Sequence, residues 1–484
     1  MKKQTINKTS LLRFLPKKSV TAFTLFVFSL VSCGGGGSNE TENPETPETQ
    51  TPEVEVPETE VPEIEVPGAE TPGIVIEHEP AVLEVSQECD ANVPVGLSSD
   101  MQDAITLAES RYTDLLERTS SSNQKYIDYT DANGTWELVS PSRWTSGFLP
   151  GVHWYLYGLT DTASWRTIAE ASTAGLRELA SATDNDTGFQ IYGSYGIGRN
   201  ILEGVWDEAD DAIDEAANTL MQQRYNPSVG AFRAWPQSED NPLLINSFRP
   251  FEVNVDMIMN MEVVLSAAEK SGDLTFVNAA ISHADIAWKY IVRADFSSYQ
   301  VAAFNADGSL NYHRTQQGWL EDSTWSRGQS WSVYGNIMLY RYTNLPRMLE
   351  RSEQAYQYFK QSTLARNGSW IPYADFDASI SIRNPLDTSA AAVVASAALE
   401  LYETTRNTLY LQDANDIVNE LVKDYLSEGT DFDSLLLAGS EQYVREDDDL
   451  IPNSEGYEVG ASFGDFYFLE ALYRLKNTKA PQCN

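Results

Sequence analysis

Asp256-Met257-Ile258-Met259-Asn260-Met261-Glu262-Val263-Val264-Leu265-Ser266-Ala267-Ala268-Glu269-Lys270 reads as one helix, stopped by Ser271-Gly272. Glycine ends helices because it enters the left-handed region without a steric penalty. Apolar residues crowd the opening at Met257, Ile258 and Met259, and Val263 and Ala267 share nearly the face of Asp256, so this is a helix buried among others. Working outward, helical spacing returns over 101–116, 150–159, 169–179, 208–224, 276–292, 324–343, 347–360, 388–404, 411–425 and 464–475. Strand-like alternation is rare and short. The fold class is therefore all-α, built from antiparallel helix pairs. Such pairs stack into a solenoid or close into a toroid. A solenoid calls for similar repeats, and these helices do not align with one another. The loops between them are rich in Trp, Tyr, Asn and Asp. Aromatic faces stack on sugar C–H surfaces and amides or carboxylates pair with hydroxyls, a combination that suits a carbohydrate pocket at the helix ends of an (α/α) toroid.

Composition excludes several classes. The 484 residues carry 71 acidic against 33 basic side chains, a formal charge of −38. Binding a polyanion needs clustered Lys and Arg, so nucleic acid is not a partner. Three Cys and four His, without metal-ligand spacing, argue against a zinc site. There is no G-x-G-x-x-G, P-loop or G-x-S-x-G element.

The N-terminal region has a different character. Residues 1–32 hold Lys2, Lys3, Lys8, Arg13, Lys17 and Lys18 and no acid, then an apolar run from Phe23 to Val31. That is the layout of a signal peptide, too short for an ordinary membrane span. Leu30-Val31-Ser32-Cys33 followed by Gly34 resembles a bacterial lipobox. The resemblance implies that Cys33 is lipidated, that the domain is anchored in the cell envelope, and, with Gly34 after the Cys, that the outer membrane is its address. Residues 33–80 alternate Pro with Glu and lack Lys and Arg, the composition of an extended, disordered tether. The folded region spans 95–480. Cys89 and Cys483 lie near its two ends; in an oxidising compartment they either pair or stay free.

Two aspartates stand out, each with an ordinary structural reading beside a chemical one. Asp256 precedes a helix, where Asp is a common N-cap; its apolar neighbours would also raise its pKa and keep a proton available. Asp186 lies in Asn185-Asp186-Thr187-Gly188, good turn chemistry.

An ordered set of segments resembles the unsaturated glucuronyl hydrolases, glycoside hydrolase family 88. They are Arg143-Trp144-Thr145-Ser146-Gly147-Phe148-Leu149-Pro150-Gly151; Asp186-Thr187-Gly188-Phe189 with Ser194-Tyr195-Gly196; Asn254-Val255-Asp256-Met257; Gln317-Gly318-Trp319; Ser323-Thr324-Trp325-Ser326-Arg327-Gly328-Gln329-Ser330-Trp331; Asp387-Thr388-Ser389-Ala390; and Gly464-Asp465-Phe466-Tyr467-Phe468. The likeness runs from about 100 to 475. It implies an (α/α)6 barrel, no metal or cofactor, and a substrate made by polysaccharide lyases: an oligosaccharide whose non-reducing end is a 4,5-unsaturated uronic acid. In this family a proton goes to C4 of the vinyl ether, water adds at C5, and the hemiketal opens to release the next sugar. One carboxyl that gives and later accepts a proton suffices, without the two-carboxylate scheme at the anomeric carbon. The resemblance assigns that role to Asp256, with Asp186 as the second carboxylate, expected to lift the pKa of Asp256 so that its removal shifts the pH limb downward. It places Trp144, Tyr195, Trp235, Gln300, Gln317, Arg327 and Trp331 at the substrate, the three tryptophans as stacking surfaces. Arg327 is expected to grip a carboxylate or sulfate, against the alternative of an ion pair with Asp322 or a neighbour. Asn185, Gln300 and Gln316 stand where relatives often have His; an amide keeps hydrogen bonding but does not titrate. The alternatives are an unsaturated rhamnogalacturonyl hydrolase and a non-catalytic sugar-binding lipoprotein.

Overall fold

The computed structural model describes residues 90–481, apart from 91, 123–124, 205, 236–249, 306, 382 and 444–458. The signal and tether segments, Cys33, Cys89 and Cys483 lie outside the described residues. Thirteen α-helical segments occur among those described: α1 (Ser99–Thr119), α2 (Phe148–Thr160), α3 (Ala163–Ala174), α4 (Thr187–Ile191), α5 (Ile197–Ile201), α6 (Asp207–Gln223), α7 (Met257–Ser271), α8 (Leu274–Ile291), α9 (Ser326–Thr343), α10 (Pro346–Asn367), α11 (Thr388–Thr405), α12 (Thr408–Asp424) and α13 (Ser462–Asn477).

They form a double ring. The inner ring is α2, the pair α4–α5, α7, α9, α11 and α13, each packed on the next, with α13 closing back onto α2. The outer ring alternates with it in sequence, as α1, α3, α6, α8, α10 and α12. This is the (α/α)6 barrel. Burial follows from position: residues 257–268 of α7, 326–339 of α9 and 388–402 of α11 are buried all round, because each inner helix has neighbours on every side. Outer helices such as α6 bury one stripe, here Ala209, Ala212, Ile213, Ala216, Ala217 and Leu220.

The helices expected from spacing are present except that over 169–179, where α3 begins earlier and ends at Ala174, and Arg177–Ser181 forms a separate 3-10 turn. One inner element was not expected. Helical spacing is not recognised over 187–201, where Gly188, Gly193, Gly196 and Gly198 lower helix propensity, yet these residues form α4, a π-helical turn over Tyr192–Gly196, and α5. Packing overrides propensity here. A Cβ on Gly188 would lie 2.6 Å from the Asn260 Cα, and one on Gly198 2.5 Å from the Trp154 ring. The glycines are there so that this element can sit close against α7 and α2.

Three small antiparallel sheets occur in the loops: β1 (Tyr126–Thr130) with β2 (Trp136–Val139), β3 (Tyr225–Asn226) with β4 (Ala231–Phe232), and β5 (Phe251–Asn254), β6 (Val301–Phe304) and β7 (Leu310–Arg314) in that order. The ring is fastened where its ends meet. Tyr112 of α1 donates its hydroxyl to Asp465 of α13 at 2.8 Å, and Asp465 also accepts the Leu435 and Leu436 amides. The Thr130 amide reaches the Gly460 carbonyl at 2.9 Å.

Candidate active site

All inner helices run the same way, so their N-termini gather at one end of the barrel. There they surround a cavity of about 130 Å³ whose wall includes Trp144, Asp186, Trp235, Asp256, Gln317 and Arg327. Each of these comes from just before, or the first turn of, an inner helix, or from a loop beside one. The positive ends of the inner-helix dipoles converge there too, an environment that favours an anionic group.

Asp256 is not the helix cap. Its backbone is already helical and its side chain makes no capping bond. The cap is Asn254, at the end of β5, whose Oδ1 accepts the Met257 amide at 3.2 Å. The Asp256 carboxyl is therefore free to face the cavity, and its Oδ2 has no hydrogen-bond partner among the described residues. Burial raises its pKa to about 6; Arg327 and hydrogen bonding from Gln300 and Trp331 hold it from going higher.

Asp186 ends the turn before α4. Its Oδ1 accepts Asn260 Nδ2 at 3.2 Å, while Asn260 Oδ1 accepts the Phe189 amide at 2.7 Å. Asn260 stands one turn beyond Asp256 on α7, so a single side chain fixes the two carboxyl-bearing elements relative to each other. Burial pushes Asp186 up to about 8, helped by the negative charges of Asp184 and Asp256 and opposed by Asn260 and Asn185. Asp186 is raised the further of the two because Asp184 adds its charge to that of Asp256, and the two carboxyls titrate as one coupled pair. With Asp186 the more strongly held protonated of the two, Asp186→Asn should leave the Asp256 limb of the pH–rate profile near 6. A limb that drops by a full unit would mean that Asp186 is charged there.

The other expected residues divide. Trp144 and Trp235 are half-buried and line the cavity, as stacking surfaces require. Gln317 lines it as well. Gln300 is buried behind Gln317, accepting the Gln316 and Gln317 amides at 3.0 and 2.9 Å and donating to Gln317 Oε1 at 2.5 Å. It acts on Asp256 and positions Gln317. Trp331 is corrected: its ring is 1% exposed and packed on Phe189 and Tyr467, so it offers no stacking face to the cavity, and its bearing on Asp256 is to help hold that carboxyl's pKa down. Tyr195 is corrected too. It faces outward from the barrel axis, against Trp206, with its hydroxyl donated to Glu208 at 3.3 Å, and is not in the cavity wall; the glycine-rich segment that carries it is helical, which turns it away.

Arg327 lines the cavity, but its fork is occupied. Nη1 donates to Asp387 Oδ2 at 3.0 Å and to the Ser440 carbonyl, and Nη2 to the Glu441 carbonyl at 2.6 Å. Its plane lies between the Trp325 and Phe463 rings, 4.6 Å from each. The ion-pair alternative describes it, with Asp387 as the partner in place of Asp322. Among the described residues no group of three or more His, Cys, Asp or Glu side chains is placed to hold a metal ion.

Sequence reasoning passed over three residues. Asn254 had a signal, since Asn three residues before Met257 is capping spacing. Asn260 had none beyond its place on the helix. Trp325 lines the cavity with a buried indole N–H that has no partner among the described residues, a donor available to a sugar oxygen.

Comparison with known proteins follows the same line. No family model matches the chain. It is 35% identical over 348 residues to an unsaturated glucuronyl hydrolase of Formosa agariphila, covering 70% of this chain and 81% of the relative. It is 28% identical over 376 residues to the unsaturated glucuronyl hydrolase of Bacillus sp. strain GL1, covering 75% and 95%. Among solved structures, an unsaturated glucuronyl hydrolase specific for heparin superposes with a TM-score of 0.67 at 29% identity, over 78% of this chain and 98% of that one.

Proposed function

Because the chain belongs to the unsaturated glucuronyl hydrolase family, we propose that Asp256 is its acid–base group, acting on the C4=C5 bond with a neutral Asp186 beside it. The enzyme is a glycoside hydrolase that removes the non-reducing-end 4,5-unsaturated uronic acid from lyase-generated oligosaccharides. The rhamnogalacturonyl and non-catalytic alternatives fall away on the same relatives.

One observation carries the assignment: Asn254 makes the cap bond, and Asp256 Oδ2 stands in the cavity with no partner among the described residues, its carboxyl pKa raised to about 6. In its protonated form Asp256 delivers a proton to C4. The developing positive charge at C5 is met by water, whose proton Asp256 then accepts. Asp186, protonated at the same pH, donates a hydrogen bond to the sugar, and the converging helix N-termini stabilise the uronate carboxylate. Trp144 and Trp235 stack on sugar rings. Since the acid form of Asp256 starts the reaction, kcat should fall as pH rises through about 6. Folding responds with the same sign: both carboxyls hold protons in the folded state at pH values where the unfolded chain has lost them, so their contribution to stability declines as pH rises from about 4.

A panel of lyase products tests the function. Each should lose the ultraviolet absorbance of its conjugated double bond on incubation with the enzyme; retention of the absorbance across glycosaminoglycan, ulvan-type and exopolysaccharide products would overturn it.

The address of the protein belongs to the same proposal: residues 1–32 direct export, lipidated Cys33 anchors the chain in the outer membrane, and 33–80 hold the catalytic domain off the bilayer. Cys33→Ala should move the protein from the membrane fraction to the soluble one with kcat unchanged. A mutant that still sediments with membranes in high salt would refute the anchor.

A further inference from the structure

The inner helices have a second meeting place. Toward their C-terminal ends lies another cavity, of about 270 Å³, larger than the catalytic one. Phe189 lines both, so the two cavities adjoin. Nothing in the hydrolytic reaction uses this second space.

Its charges do not balance. Arg341 of α9 pairs with Glu262 and, at 3.1 Å, with Glu400. Arg474 of α13 pairs with Glu400 at 2.8 Å, Glu403 at 3.0 Å and Glu470 at 3.0 Å. Two guanidinium groups therefore face four carboxylates. Glu470 is 5% exposed and lines the cavity; one of its oxygens takes both Tyr334 and Arg474, while the other accepts no hydrogen bond among the described residues. Glu400 Oε1 is likewise buried without a partner. Glu262 is held up at about 7, by burial first and then, against Arg341, by Glu400 and Glu470. Helix geometry adds to the imbalance. Arg341 and Arg474 stand in the last turns of α9 and α13, where backbone carbonyls and the dipole contribute further negative potential. The rest of the wall mixes the rings of Tyr155, Tyr192, Tyr467 and Tyr473 with apolar Ile197, Ile201 and Met259 and the amides of Asn200 and Asn477. An aromatic face is the negative pole of its quadrupole and attracts a desolvated cation.

We propose that this second cavity binds a small organic ammonium ion, which supplies the positive charge the four glutamates lack and packs its carbon groups against the tyrosine rings. A compact metal ion would leave most of the space empty and the rings unused. An anion would meet an excess of carboxylates. A neutral sugar would leave the charge imbalance as it stands.

Choline chloride is the probe, with the full-length protein, by calorimetric titration and thermal unfolding against sodium chloride at equal ionic strength. Choline should bind with a millimolar or lower Kd and raise the unfolding midpoint above that in sodium chloride. Glu470→Gln should weaken choline binding by about tenfold, the loss of roughly one ionic contact. Glu403→Gln, whose side chain is 39% exposed, is the second variant; it should weaken binding in the same direction without perturbing the fold. Asp256→Asn should bind choline as the wild type does. No binding to the wild type, an equal response to sodium, or full-strength binding by both glutamate variants would each overturn the proposal.

Discussion

Asp256→Asn should lower kcat by about 10²–10⁴-fold, the usual worth of a positioned acid–base group, while leaving the fold at least as stable as the wild type above pH 6. The stability half of this expectation is the more diagnostic. If Asp256 capped α7, an Asn in its place would cap almost as well, and rate and stability would both survive. The capping bond instead belongs to Asn254. Asp256 contributes a buried carboxyl whose charge is disfavoured by burial, so neutralising it removes a cost. Asn254→Ala is the complement and should cost about 1 kcal/mol of stability through loss of the cap. Initial rates on an unsaturated oligosaccharide and unfolding midpoints for the two variants separate the readings. A full-rate Asp256→Asn enzyme would end the assignment.

The second large effect concerns Arg327. Removing one member of a buried ion pair leaves the other charge uncompensated, at a cost of about 3–5 kcal/mol. Arg327 and Asp387 are 1% and 0% exposed, and Arg327 also holds the Ser440 and Glu441 carbonyls. Arg327→Ala should therefore be strongly destabilised. Asp387 caps α11 through the Ser389 and Ala390 amides, so Asp387→Asn is the right partner for a double-mutant cycle: it keeps a capping oxygen and removes the charge. Combined with Arg327→Ala, it should recover part of the lost stability. If Arg327→Ala unfolds at the wild-type midpoint and only KM rises, Arg327 is a substrate ligand after all.

What the sequence disclosed, and what it withheld, follows a physical line. Helices with an apolar stripe or an apolar body declare themselves by period, and so do terminators such as Gly272. The helical run through Gly188, Gly193, Gly196 and Gly198 did not, because its helicity comes from close contact with α2 and α7, and local propensity points the other way. The aspartates were legible as candidates through the ordered resemblance. Their protonation order was not, since it depends on Asp184 and Asn260, brought near by folding. Arg327 shows the same limit: its partner Asp387 lies 60 residues on, and no local pattern joins them. Trp331 and Tyr195 were placed at the substrate by motif membership; a motif fixes which residues cluster, while the direction of each side chain follows from helix phase.

The clasp between Tyr112 and Asp465 joins residues 353 positions apart, so the barrel closes only when almost the whole chain is in place. Without α13, α2 has one flank bare, because the helix that covers it is α13. Both cavities take part of their surroundings from α13 and its approach, through Phe463, Glu470 and Arg474. A chain stopped short of that helix would hold every catalytic carboxylate and still have no closed barrel in which to use them.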